Sequence, residues 1–144
     1  MLQGKVYAVC ISEAKGTPKK EVPEALLVAG HGIQGDAHAG DWHRQVSLLS
    51  EDKVERFRKT GIDVDNGAFG ENILVTGIDP VSLVVGTKVR IGESLLEITQ
   101  IGKECHTRCR IYNTVGDCIM PREGVFAKVL EGGSVKRGDA VYVD

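Results

Sequence analysis

The sequence predicts a mainly β fold, a closed or nearly closed β-barrel with two or three short peripheral helices. Three observations lead there. Short apolar runs recur along the 144 residues, punctuated by 18 glycines. Two of these runs, residues 86–91 and 95–101, flank Gly92-Glu93-Ser94 as the arms of a hairpin. Helical patterns do not alternate with the strands, as parallel βαβ units would require. One domain spanning residues 1–144 is long enough to bury its own core.

The elements follow in order. Residues 5–11 alternate Val6, Ala8 and Cys10 against Tyr7, Val9 and Ile11, a strand pattern. Residues 13–24 are polar and hold Gly16, Pro18 and Pro23, so they read as a loop. Residues 25–29 form a short apolar run. The glycine density of residues 30–44 excludes regular helix or strand there. Residues 45–49 read as a strand, and Ser50 is a suitable N-cap for a helix that carries Val54 and Phe57 and stops at Gly61. Glu51 and Asp52 suit its first turn, where acids complement the helix dipole. A turn over residues 65–70 feeds a strand at 71–76. After the hairpin, Pro121 opens a predicted short helix through Val125, Phe126, Val129 and Leu130, ending at Gly132-Gly133. Residues 138–143 are the last strand. Their Gly-Asp-Ala-Val-Tyr-Val echoes Gly-Thr-Lys-Val-Arg-Ile at 86–91, which predicts two similar strands in one curved sheet.

A net charge of −2 gives no basic excess and argues against general nucleic-acid binding. No apolar run is long enough to span a bilayer, and the N-terminus lacks the pattern of a signal peptide. The expected location is the cytoplasm, where the four cysteines stay mainly reduced, so that ligand or reactive roles outrank structural disulfides.

The richest chemistry lies in Lys103-Glu104-Cys105-His106-Thr107-Arg108-Cys109-Arg110. Only the thiolate is a nucleophile or metal ligand, and nearby cations favour it. Cys105 and Cys109 therefore read as thiolates that carry sulfur or bind a soft metal, against the blander reading of two incidental loop thiols. A structural zinc site using Cys105, His106 and Cys109 with Cys118 or a distant histidine is a further alternative, weakened by the lack of a second ligand cluster. Cys10 and Cys118 sit in apolar surroundings and read as core.

Residues 30–44 hold four glycines, His31, His38, His43, the single Trp42 and Arg44. Glycines let backbone N–H groups approach an anion closely, and His31, His38 and Arg44 can neutralise a phosphate. A solvated surface loop remains the alternative. The stretch matches neither the phosphate-binding Gly-Lys-Ser/Thr loop nor the dinucleotide fingerprint. Glu71-Asn72 is either a polar pair facing a ligand or a cap on the preceding turn. Trp42 covers a pocket or simply packs.

Taken in order, these segments resemble the MOSC domain, the module named for the C-terminal part of molybdenum-cofactor sulfurases. Residues 32–40 with 44–49 resemble the family's Gly-Asp-Arg-His-x-Gly stretch and the strand after it. Phe69-Gly70-Glu71-Asn72-Ile73 resembles its Gly-Glu-Asn-Leu motif, and residues 86–91 resemble a barrel strand. Cys105 and Cys109 fall where the family has its functional cysteine. The resemblance implies a barrel that binds a pyranopterin molybdenum cofactor or transfers sulfur through a cysteine persulfide. It implies cofactor contacts at His31, Gly35, Asp36, His38, Arg44, Glu71, Asn72, Lys103 and Arg108, with Cys105 and Cys109 as catalytic or metal-binding thiols. For the family at large it also implies pyridoxal phosphate binding. The implied partners are an anionic pterin or other small molecule, and a cysteine desulfurase or molybdoenzyme, with no nucleic acid and no membrane.

The chain departs from the family at Ala37, where members often have Arg, and at Glu104-Cys105, where many have Pro-Cys. Arg108-Cys109-Arg110-Ile111 resembles the reductase branch, so both cysteines stand as candidates. The additional N-terminal barrel of those reductases has no counterpart in these residues. That favours a carrier or accessory module over a molybdenum-dependent reductase of N-hydroxylated compounds. A zinc-stabilised interaction domain is the third reading.

Overall fold

The first strand, β1 (Leu2–Ile11), is long enough to serve two neighbours in succession. Its first residues pair with β11 (Ala140–Val143), and Lys5 to Val9 pair with β6 (Ile73–Thr76) across a bulge between Val6 and Ala8. The computed structural model describes residues 2–15, 17–102 and 123–143. The remaining strands are β2 (Lys20–Val22), β3 (Glu24–Val28), β4 (Gly32–Ile33), β5 (Val46–Ser50), β7 (Lys88–Ile91), β8 (Ser94–Ile101), β9 (Val125–Glu131) and β10 (Gly133–Lys136). Helix α1 spans Glu51–Arg58, and a 3-10 turn spans Pro80–Ser82.

Seven strands close a mixed barrel in the order β1, β6, β5, β9, β8, β7, β11, with β11 returning to β1. Strands β10, β3 and β4 form a small second sheet, and β2 extends the far half of β1. Among the described pairings only β5–β6 is parallel. A parallel pair needs a crossover, and α1 lies between these two strands in the chain.

Alternation along each strand fills the interior with Val6, Leu48, Ile73, Val75, Val89, Ile91, Leu96, Ile98, Val125, Val129 and Val141. A second apolar layer lies outside the barrel wall. There Val54 and Phe57 of α1 cover Ala8, Cys10, Leu49, Leu74 and Phe69, with Phe57 and Phe69 edge to face at 5.0 Å. Strand β5 is buried at all five positions because both its faces are covered.

The barrel matches the sequence expectation, and the two echoing segments become β7 and β11, paired side by side with Val141 opposite Ile91. Three local expectations are corrected. The helix predicted after Pro121 is strand β9, hydrogen-bonded to β5 and β8. Val125, Phe126, Val129 and Leu130 satisfy helical spacing, but Val125, Ala127 and Val129 also share one strand face. The one gap in the barrel wall, between β5 and β8, decides between the two patterns. Residues 20–22 pair with β1 despite their polarity, and Gly32–Ile33 pair with β3 inside the glycine-rich stretch. Among the described residues the helical elements are α1 and the 3-10 turn, and Glu123 is also helical. Ser50 occupies the N-cap without a side-chain capping bond.

No described helix is long and apolar enough to cross a membrane. Lys103, Cys105, Arg108, Cys109 and Cys118 lie outside the described residues. The two ends of their segment are held together where the Gly102 N–H donates to the Gly124 carbonyl at 2.6 Å.

Candidate functional site

The glycine-rich stretch is a folded loop built around Asp36. Gly32, at φ 121°, passes so close to Gln45 that a Cβ would lie 2.9 Å from the Gln45 carbonyl oxygen. The chain then turns, and the Asp36 carboxylate is buried. Its Oδ1 accepts from the Ser12 N–H at 3.1 Å and from Lys19 Nζ at 2.8 Å, and its Oδ2 accepts from the His38 N–H at 3.1 Å. Burial by itself would raise the Asp36 pKa. The Lys19 hydrogen bond and charge, with the two backbone donors, outweigh it and hold the carboxyl below the ordinary carboxylate range.

Lys19 is the centre that composition does not reveal. Its side chain and that of Asp36 are both 0% exposed. Lysine is almost never fully buried unless paired, and here Nζ has three partners: Asp36, Ser12 Oγ at 2.9 Å and His38 Nδ1 at 3.0 Å. An ammonium only donates, so Nδ1 is the acceptor and the imidazole hydrogen sits on Nε2.

What carries Lys19 there is the turn before β6. The Lys19 N–H donates to the Gly67 carbonyl at 2.7 Å. Gly67 has φ 91°, and a Cβ on it would collide with the Lys19 carbonyl. The turn is fastened by Glu71, whose carboxylate accepts from the Gly67 N–H at 2.9 Å and the Phe69 N–H at 3.1 Å. Burial pushes the Glu71 pKa up to about 7, with these backbone donors opposing.

Asn72 is also fully buried. Its Oδ1 accepts from Ser47 N–H at 2.9 Å and Ser47 Oγ at 3.2 Å, and its amide donates to the Cys10 carbonyl at 3.0 Å. Neither Glu71 nor Asn72 presents a polar atom to a rim. They act on the loop through the backbone, which is the capping alternative read from the sequence. Cys10 lies in the core, where burial, then Glu71 and Glu21, push its thiol far up against the opposing charge of Lys19, so it is unreactive.

On the other side of Asp36 the loop builds an aromatic platform. Trp42 Nε1 donates to the His38 carbonyl at 2.7 Å, and the two rings lie nearly parallel at 6.4 Å. Arg44 Cζ lies 4.8 Å from the Trp42 ring centre and 5.5 Å from that of Phe126. Lys15 Nζ lies 4.6 Å from the Trp42 ring centre. Arg44 Nε is buried and has no hydrogen-bond partner among the described residues. His31 is exposed and holds the loop only through its backbone, accepting from the Gly40 N–H at 2.7 Å. Gly35 is exposed at φ 86°, beside a pocket of about 600 Å³ that Ser12, Thr17 and Pro18 also line.

This loop is fastened to the root of the cysteine segment. His43 Nε2 lies 2.9 Å from Gln100 Oε1, Gln100 Nε2 donates to the Gly102 carbonyl at 2.8 Å, and Thr99 Oγ1 donates to the His43 carbonyl. The structure thus brings Asp36, His38 and Arg44 together and leaves Glu71 and Asn72 beneath them. Ser12, Lys15 and Lys19 join the site without having been marked by any motif. Among the described residues no group of three His, Cys, Asp or Glu side chains could hold a metal.

The family model for the MOSC domain matches residues 34–142. Among solved structures, the YuaD protein from Bacillus subtilis superposes with a TM-score of 0.78 at 21% identity, covering 97% of this chain and 94% of that one. YiiM from Geobacillus stearothermophilus gives 0.73 at 16% identity, with 98% and 75% covered. YiiM from Escherichia coli gives 0.71 at 17%, with 100% and 70% covered. At these identities the likeness is one of fold. No curated protein sequence matches this one.

Proposed function

Because the chain belongs to the MOSC domain family, which is associated with molybdenum-cofactor-related proteins, we propose that it binds the anionic pyranopterin of that cofactor and uses Cys105 or Cys109 to hold molybdenum or carry sulfane sulfur. The observation that supports this reading best is the attachment of the Asp36–Arg44 loop to Gln100 and Gly102, the root of the cysteine segment. It sets the cationic loop beside the point where the chain enters the cysteine segment.

The described residues fit an anionic group. Arg44 Nε is a buried donor without a partner among the described residues, and an unmet buried donor costs about 1–3 kcal/mol unless a ligand or water completes it. Lys19 does not offer the same, because Asp36, Ser12 and His38 occupy its ammonium. Arg44 and His38 would hold the ligand, while Lys19 and Asp36 fix His38, and Glu71 fixes the turn under Lys19. Lys103, Arg108 and Arg110 would favour the thiolate. When bound, the cofactor would supply molybdenum for thiolate ligation. A cysteine desulfurase or a molybdoenzyme would be the protein partner, in the cytoplasm.

The test compares the wild type with Cys105→Ser, Cys109→Ser and the double variant, each purified from cells that make the cofactor. Molybdenum, pterin and sulfane sulfur are then assayed. The double variant should lose its load with an unchanged circular dichroism spectrum. Full loading of the double variant would overturn the proposal.

A further inference from the structure

The indole of Trp42 gathers two cations, Lys15 and Arg44, that lie outside the ion pairs of the described residues. Two other basic side chains of the loop region have polar partners: Lys19 is bonded to Asp36, and His43 contacts Gln100. The platform itself is rigid. Trp42 is held by its bond to the His38 carbonyl, and Arg44 lies between Trp42 and Phe126, so little side-chain freedom remains to be lost on binding. Among the described residues Arg44 Nε is buried without an acceptor, whereas nearly all buried donors in folded proteins have one. Glu13 and Asp41, the acids nearest in sequence to Lys15 and Arg44, are exposed, and among the described residues neither forms an ion pair with these cations.

We infer that Lys15, Trp42 and Arg44 form a subsite for a phosphate group, with Arg44 Nε donating to a phosphate oxygen, Lys15 supplying the second positive charge and the indole holding both in place. This deepens the proposed function, since a pterin phosphate ester is one source of that group and free inorganic phosphate another. Both present the same oxygens to Arg44, whose planar fork matches phosphate geometry.

Trp42 is the only tryptophan of the chain, so it reports its own site. The intact protein is titrated with inorganic phosphate and, separately, with glycerol phosphate as a monoester, at constant ionic strength made up with chloride. Saturable quenching or enhancement of Trp42 fluorescence by either probe is expected. Lys15→Gln and Arg44→Gln should each weaken the response about tenfold, the scale of one charge-assisted hydrogen bond. Arg44→Lys keeps the charge without Nε and should recover only part of it. Binding of both probes indicates that the phosphate alone is read, and binding of the monoester alone indicates that an ester is required. No saturable change with either probe, or the same response in Lys15→Gln and Arg44→Gln as in wild type, would overturn the subsite.

The Cys105→Ser, Cys109→Ser variant separates this inference from the function it rests on. It should keep the full phosphate response. A phosphate response without sulfur or molybdenum loading in wild type would sink the proposed function alone. Loading without a phosphate response would sink the subsite alone.

Discussion

Replacing Lys19 with Met removes one partner of a fully buried ion pair and leaves the other charged. The Asp36 carboxylate keeps its bonds from the Ser12 and His38 N–H groups but loses the ammonium at 2.8 Å. Breaking such a pair from one side costs about 3–5 kcal/mol, whereas removing both partners is often close to neutral. For a domain of this size that is a fall of roughly 10–15 °C in Tm. The assay is urea unfolding of wild type, Lys19→Met, Asp36→Asn and the double variant. A double-mutant cycle should give a coupling energy of a few kcal/mol, with the double variant more stable than Lys19→Met.

The pH dependence supplies a second, signed readout. In wild type the folded Asp36 pKa lies below its unfolded value of 3.8, so its stabilising effect is complete above about pH 4 and is lost as pH falls through the depressed folded value. Without Lys19 its chief opponent is gone, and burial raises the folded pKa. Lys19→Met should then lose stability as pH rises above about 4. A cost under about 1 kcal/mol, or additive single variants, would refute the assignment of Lys19 as the site's structural hub.

Three more perturbations have definite outcomes. Glu71 holds its proton more tightly in the folded state, at about 7 against 4.5, so it lowers stability progressively as pH rises from about 4.5 to 7, by up to about 3 kcal/mol; Glu71→Gln should flatten that slope in urea midpoints taken at pH 5 and pH 8. Gly67→Ala combines a left-handed φ with a collision against the Lys19 carbonyl and should cost more than about 2 kcal/mol by thermal unfolding. Asn72→Ala strands the Ser47 donors and the Cys10 carbonyl, and should cost about 3 kcal/mol by urea unfolding.

The barrel was readable because its signal is local. Val6, Ala8 and Cys10 alternate within one strand, and the Gly92-Glu93-Ser94 turn fixes its own hairpin. Residues 125–131 were not readable, since their apolar positions satisfy both a helical and a strand period, and only the gap between β5 and β8 chooses. The histidines and Arg44 mark the loop as a candidate site in the sequence. The residue that organises it was not legible there. Lys19 stands in a polar run after Pro18 and looks like any solvated lysine, and its burial depends on Gly67, 48 positions away in the chain. Glu71 and Asn72 looked equally suited to a ligand or to the backbone. The tertiary structure settles their polar atoms on Gly67, Phe69, Ser47 and Cys10.

The most direct test of the central claim is intact-protein mass spectrometry after incubation with a cysteine desulfurase and cysteine. The account expects the added mass of one sulfur atom on Cys105 or Cys109, removable by a thiol reductant and absent from the double serine variant, or else molybdenum and pterin bound in native spectra of protein from cofactor-making cells. A wild-type protein that takes up neither sulfur nor molybdopterin under those conditions would contradict it, leaving the barrel and its Lys19–Asp36 hub without the chemistry proposed for them.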